Sequence, residues 1–220
     1  MTGTVTVHLV RHAESRWNVE RRYQGQTDSG LTDDGIRQAA ALAEALARLV
    51  PAPDLVVCSD LPRAMDTCRP YATVVGAPMT TDQALREISV GDWSGRTFDE
   101  IASEHPDTVA AVQGGADLPR GGGETFAQAR SRVAGALTRT VRRLSDGDGD
   151  RTVVAVSHGG PIRVAAAAAI GVPPPGHTAF SSPDNCSLTT IKFTPDRGAE
   201  LVRYNHTLAP AGVADSAEIS

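Results

Sequence analysis

The sequence predicts an α/β protein: a three-layer α/β/α sandwich with a mostly parallel sheet and an inserted helical flap region. Three observations carry this. Three short β-branched segments, Thr4 to Val10 (TVTVHLV), Asp54 to Cys58 (DLVVC) and Arg151 to Val156 (RTVVAV), are apolar on both faces, as strands covered by helices on both sides are. Helical patterns separate them, and strand alternating with helix is the signature of this class. The stretch from Pro106 to Gly123, rich in Gly and Pro, is too long for a minimal connection and reads as a functional flap.

The helices follow in order. Asp33 to Val50 places Ile36, Ala39, Leu42, Leu46 and Leu49 at steps of three and four, with acids in its first turn and Pro51 beyond its end. A second helix starts near Pro62, a residue suited to a first helical position, and Pro70 is expected to kink or end it. Thr97 and Glu100 form a capping box for a short helix ending near Pro106. Thr125 to Leu144 repeats Phe126, Val133, Leu137, Val141 and Leu144 on one face, and Gly121 to Gly123 before it read as a hinge. Pro161 to Ile170 is Ala-rich and stops at Gly171 and three prolines. Asn185 to Phe193 alternates well enough for a last strand, expected at a sheet edge. Residues 1–208 are read as one domain and 209–220 as a flexible tail.

Composition narrows the function. With 220 residues, 40% hydrophobic and 21% charged, the chain can bury a full core and has no disordered or fibrous bias. The formal charge of −5 argues against nucleic acid or an anionic membrane surface as partner. Cys58, Cys68 and Cys186 are odd in number and lack C-x-x-C spacing, so neither a disulfide framework nor a zinc ribbon is supported, and a cytoplasmic location is expected. Met1 to Val10 has no positive n-region and reaches His8 and Arg11 before any long apolar run, so no signal peptide is expected, and no apolar run of about 18 residues is present.

The chemistry-bearing residues stand at strand ends. Arg11-His12 ends the first strand, and Ser157-His158-Gly159-Gly160 ends the third where a helix begins. In open α/β sheets ligands bind at that carboxyl edge. The two glycines can turn backbone N–H groups toward an anion at the helix start. The second strand ends in Ser59-Asp60-Leu61-Pro62-Arg63, which brings a third cation to the same edge. An exposed ion pair of Arg63 with Asp66 is the bland alternative. Two guanidinium forks and two imidazoles converging on one point suit a phosphoryl group.

Leu9-Val10-Arg11-His12-Ala13-Glu14-Ser15, followed by Asn18, Gln24-Gly25 and Thr27-Asp28, resembles the opening signature of the histidine phosphatase superfamily, the phosphoglycerate-mutase-like fold. Ser59 to Ala64 with Thr67, Leu85-Arg86-Glu87-Ile88 with Gly91-Asp92-Trp93 and Gly95, and Val156 to Gly160 resemble its remaining blocks, in order. The resemblance runs from about Val5 to Phe193. It implies a phosphate monoester hydrolase in which His12 becomes a phosphohistidine. Arg11, Arg63 and His158 bind the phosphoryl oxygens, with Asn18 as a helper; Gln24 either faces the substrate or fixes the loop after the nucleophile, and Gly159, by its place in the Gly-Gly turn, is expected at the substrate. Glu87 protonates the leaving oxygen and later activates water, with no metal and no cofactor. Ala13 departs from the Gly frequent in the family at that position. Apart from the resemblance, Glu87 reads more readily as half of a solvated Arg86-Glu87 pair, since most acids are surface residues.

Rival readings differ by residue. His8 and His12 have zinc-like spacing, but on a strand four residues span about 13 Å, too far for one metal. Gly121 to Gly123 lead into Glu124, not into the Gly-Lys of a P-loop. An inactive phosphatase-like binding protein is disfavoured because Arg11, His12, Arg63, Glu87 and His158 are all present. A phosphoglycerate mutase is disfavoured because Tyr23-Gln24-Gly25-Gln26 replaces the mutases' Phe-Thr-Gly-Trp. Between Ser94 and Gly123 the only Lys or Arg residues are Arg96 and Arg120. The expected partner is a small phosphate monoester, and a homodimer through Pro173 to Pro183 and the last strand is the expected assembly.

Overall fold

The computed structural model describes residues 3–147 and 149–208, so the tail expected from Ala209 lies outside the described residues. Six strands form one sheet: β1 (Val5–Arg11), β2 (Leu55–Cys58), β3 (Met79–Thr81), β4 (Arg151–Ser157), β5 (Leu188–Thr194) and β6 (Gly198–His206), in the order β3-β2-β4-β1-β5-β6. The first four are parallel; β5 runs antiparallel to β1, and β6 antiparallel to β5. The helices are α1 (Arg16–Val19), α2 (Asp33–Leu49), α3 (Pro62–Val74), α4 (Phe98–Glu104), α5 (Pro106–Gln113), α6 (Phe126–Ser145) and α7 (Gly159–Ala169).

Alternation along the strands sorts side chains into two cores, which makes the three layers. Val5, Val7, Leu9, Val153 and Ala155 pack with Phe126, Val133 and Leu137 of α6 and Ile162 of α7. Val10, Val56, Val154 and Val156 face the other way, against Leu42 and Leu46 of α2 and Ala64, Cys68 and Tyr71 of α3. Each fully buried residue such as Leu46 contributes about 2 kcal/mol of burial. Thr32, Thr97 and Thr125 cap α2, α4 and α6 through their hydroxyls, the last two as complete capping boxes.

Three expectations need correction. The strand expected at an edge, β5, lies between β1 and β6, because Gly198–His206 returns as a hairpin and takes the edge itself. Pro70 does not end its helix: α3 continues to Val74 because Tyr71 and Ala72 beyond it are buried, and the Tyr71 hydroxyl donates to the Val50 carbonyl at 2.8 Å. As expected, the capped helix α4 ends at Glu104 just before Pro106, which in turn is the first-turn proline of α5 in the helical flap. Gly121 and Gly123 are packed, so the three glycines are not a free hinge. An added Cβ would meet Val90 O at 2.3 Å from Gly121 and Ser89 O at 2.1 Å from Gly123. No helix among the described residues is long and apolar enough to cross a membrane.

Candidate active site

Register brings the two histidines together. Arg11 of β1 pairs with Ser157 of β4, so His12 and His158 leave the sheet side by side, and the His12 N–H donates to Ser157 O at 3.0 Å. Their ring centroids lie 5.1 Å apart, and both rings are buried. His12 Nδ1 lies 2.7 Å from the Ala13 carbonyl. A carbonyl only accepts, so Nδ1 carries the proton and Nε2 keeps its lone pair. The Thr67 hydroxyl fixes that carbonyl's residue by accepting from Ala13 N at 2.9 Å while donating to Arg63 O at 2.7 Å. Asn185 Nδ2 adds a bond to His12 O at 2.8 Å.

Arg63 enters from the first turn of α3 and is 1% exposed, which rules out the surface pair with Asp66. Its guanidinium donates to Gly25 O at 2.8 Å, Thr27 O at 2.9 Å and His12 Nε2 at 3.3 Å. Asp66 pairs instead with Arg69. Arg11 donates to Pro183 O, and its buried Nε has no partner. Both ring nitrogens of His158 are likewise buried without a partner. Unpaired buried donors are uncommon and call for a reason. Arg11 lines a cavity of about 220 Å³ together with His12, Arg63, Glu87 and Gly159 among others, and the His158 ring adjoins it through its contact with His12.

Burial, then the Arg63 and Arg11 charges, pushes His12 well below the ordinary imidazole range, against a smaller raising effect of the Ala13 carbonyl. His158 is pushed down by burial first, then by Arg63, His12 and Arg11. Both rings are therefore neutral near pH 7. The cavity floor holds two guanidiniums, one nucleophilic nitrogen and spare donors, a set matched to a tetrahedral oxyanion.

Glu87 closes the cavity from the other side. Its carboxylate accepts from Ile88 N at 2.8 Å and from Gly160 N at 3.2 Å, the second donor being the start of α7. Gly160, not Gly159, supplies that N–H; Gly159 lies where an added Cβ would come within 3.9 Å of both Arg11 Nε and Glu87 Oε2. Arg86 turns away to Asp60, so it does not neutralise Glu87. Arg132 of α6 holds the loop, donating to the carbonyls of Ala84, Arg86 and Glu87 while its other face meets Glu124. Glu124 N in turn donates to Ser89 O at 2.8 Å.

Of the site residues singled out in the sequence, Arg11, His12, Asn18, Gln24, Arg63, Glu87 and Gly159 line this cavity, and His158 adjoins it through its contact with the His12 ring. The Asn18 oxygen is taken by Ser15 and Asn185, and the described hydrogen bonds leave its amide nitrogen unused. Gln24 Nε2 donates to Ser15 Oγ at 2.7 Å, and its buried Oε1 has no partner. The sequence reading missed Asn185, Arg132, Tyr23, Arg120 and Arg163. Arg163 had a signal: it is the one charged residue in α7 (GGPIRVAAAAA), a helix buried along most of its length.

A family model described as the histidine phosphatase superfamily (branch 1) matches residues 7–207. The chain is 31% identical over 217 residues to a glucosyl-3-phosphoglycerate phosphatase of Mycobacterium tuberculosis, covering 96% of each chain. It is 37% identical over 168 residues to one of Mycolicibacterium vanbaalenii, covering 75% of this chain and 74% of that one. The solved structure of a mycobacterial glucosyl-3-phosphoglycerate phosphatase with VO3 superposes with a TM-score of 0.84 at 31% identity, over 92% of this chain and 99% of that one.

Proposed function

Because the chain belongs to branch 1 of the histidine phosphatase superfamily, we propose that it hydrolyses phosphate monoesters of small sugar- or glycerate-type metabolites through a phosphohistidine at His12. One observation carries the reading: the Ala13 carbonyl holds the proton on Nδ1, so Nε2, beside the His158 ring, keeps its lone pair available at the cavity of Arg11, Arg63 and Glu87. Nε2 attacks phosphorus. Arg11, Arg63, His158 and the Asn18 amide take the phosphoryl oxygens, and the N–H that Arg63 Nε now directs at Nε2 turns to one of them. The P–O bond to the leaving group breaks as protonated Glu87 gives its proton to that oxygen, releasing an alcohol. Water then gives a proton to Glu87 and attacks the phosphohistidine, releasing inorganic phosphate and the free ring. Neither step calls for a metal or a cofactor.

The mycobacterial relatives act on glucosyl-3-phosphoglycerate, which supports the sugar- or glycerate-type substrate class. We also propose a cytoplasmic location, which buried, unpaired Cys58 and Cys68 suit, and a homodimer, for which the open edge at β6 with exposed Val202 offers a surface. The test of function is phosphate release from a panel of monoesters in EDTA, with His12→Ala as control. Turnover by the parent and none by His12→Ala is expected. No release from any ester, or EDTA-sensitive release, overturns the reading.

A further inference from the structure

Beyond Glu87 the cavity continues into a second one of about 250 Å³, and the two share Tyr23, Arg120 and Arg163 in their walls. Most arginines in and around the site are already engaged: Arg63 with Asp28, Arg86 with Asp60, Arg132 with Glu124, Arg22 with Glu20. Arg120 and Arg163 are not. Among the described residues neither pairs with a carboxylate. Arg163 donates through Nε to Phe180 O at 3.0 Å, which leaves its two terminal nitrogens, and Arg120 makes only a ring contact, 4.6 Å from the Phe126 centroid. Asp117, the nearest acid in charge terms after Glu87, is spent on the N–H groups of Phe126 and Ala127 at 2.7 and 2.9 Å.

Two like charges therefore share this wall with no carboxylate of the described residues paired to either. Burial disfavours the charged form of both, and the Arg120 charge disfavours that of Arg163 further. His177 reports the same field independently: its ring lies flat on Phe126 at 3.7 Å, is 4% exposed, and has an unpartnered Nδ1 at the second cavity. Burial, then Arg163 and Arg120, pushes it down to about 4. It is thus a neutral wall and does not compete for an anion.

We propose that Arg120 and Arg163 form a second anion site that takes a carboxylate on the leaving group, so that the enzyme selects phosphate monoesters carrying an acid near the ester oxygen. The inference rests on the phosphatase reading and sharpens its substrate class. Spacing supports it. Glu87, which protonates the ester oxygen, is held at Gly160 N, and Arg163 stands three residues further along the same helix face, about 4.5 Å along the axis. Both arginines line the same cavity as Glu87, which places the acid close to the ester oxygen. A planar carboxylate also matches guanidinium forks better than a point charge does.

The test uses two matched ester pairs, 3-phosphoglycerate against glycerol 3-phosphate and glucose 1,6-bisphosphate against glucose 6-phosphate, with the parent, Arg120→Gln, Arg163→Gln and Arg163→Lys. Steady-state kcat/KM is measured alongside equilibrium binding by calorimetry. The parent is expected to prefer 3-phosphoglycerate over glycerol 3-phosphate by about tenfold or more, the scale of a charge-assisted contact. Each Gln variant is expected to bring that ratio toward 1, with Arg163→Lys in between. Equal preference in the parent, or a ratio unchanged in both Gln variants, overturns the site. An arginine-dependent preference for the bisphosphate exceeding that for the carboxylate overturns its assignment to a carboxylate. If no ester turns over yet binding keeps the arginine-dependent ratio, the phosphatase reading fails and the anion site stands.

Discussion

Gly160→Ala separates acid catalysis from folding at the point where they meet. A Cβ at Gly160 would sit 2.3 Å from Glu87 Oε1, whereas ordinary contact begins at 3.4 Å, so the carboxylate must retreat by about 1.1 Å. Phe126 Cε1, 3.5 Å from the same Cβ, leaves no room to move the methyl the other way. Because the displaced atom is the end of a flexible side chain and Gly160 has helical backbone, the fold should hold, and Ala in place of Gly in a helix adds up to about 1 kcal/mol. Catalysis should not hold: a misplacement of 1 Å costs about 10²-fold. An alkyl ester, whose leaving group needs a proton, should therefore lose about 100-fold in kcat, and p-nitrophenyl phosphate, whose leaving group does not, far less. The assay is kcat on glycerol 3-phosphate and on p-nitrophenyl phosphate, with thermal melting in parallel. Alkyl turnover within a few-fold of the parent, at an undiminished Tm, would refute the claim that Gly160 holds the acid in place.

Further outcomes follow from the same geometry. Glu87→Gln should slow glycerol 3-phosphate by about 10²–10⁴ while p-nitrophenyl phosphate shows a burst before slow turnover, since the second step loses its base; equal losses with no burst in stopped flow would make Glu87 a structural residue. Arg63→Lys should lose rate despite the kept charge, because one ammonium cannot reach Gly25 O, Thr27 O and a phosphoryl oxygen together; parent-level kcat/KM would count against a bidentate role. His12 and His158 are held below their ordinary value of 6.5, so the unfolded chain binds protons that the native one does not; stability is full above about pH 6.5 and falls as pH drops toward the lowered values. Vanadate, as an anion beside His158, should flatten that loss, which Tm against pH with and without vanadate will show; a Tm that rises on acidification would contradict it.

Much of this arrangement was legible because the signals are local. Buried parallel strands leave their polar residues at the carboxyl ends, so Arg11-His12, Arg63 and His158 announce one edge of the sheet before any pairing is known. The capping threonines mark helix starts for the same reason. What stayed hidden depends on distance in sequence. Strand β6 carries Glu200, Arg203 and Asn205 and shows its partner only across the hairpin. Three-residue β3 is too short to have a period. Arg132 gains its meaning from carbonyls at Ala84, Arg86 and Glu87, nearly fifty residues back by the 45–48 spacing. Asn185, read as the start of a strand, instead bonds to His12 O.

The central claim is that phosphorus bonds to His12, and acid quenching would destroy the evidence because a phosphoramidate is acid-labile. The direct measurement is therefore an alkaline quench during turnover of a ³²P-labelled monoester, followed by peptide mapping of the label in the parent, His12→Ala and His158→Ala. Label on the His12 peptide, stable to alkali and released by acid, is the expected result, with none in His12→Ala. Label that persists in His12→Ala and disappears in His158→Ala would give the nucleophile's role to the other ring.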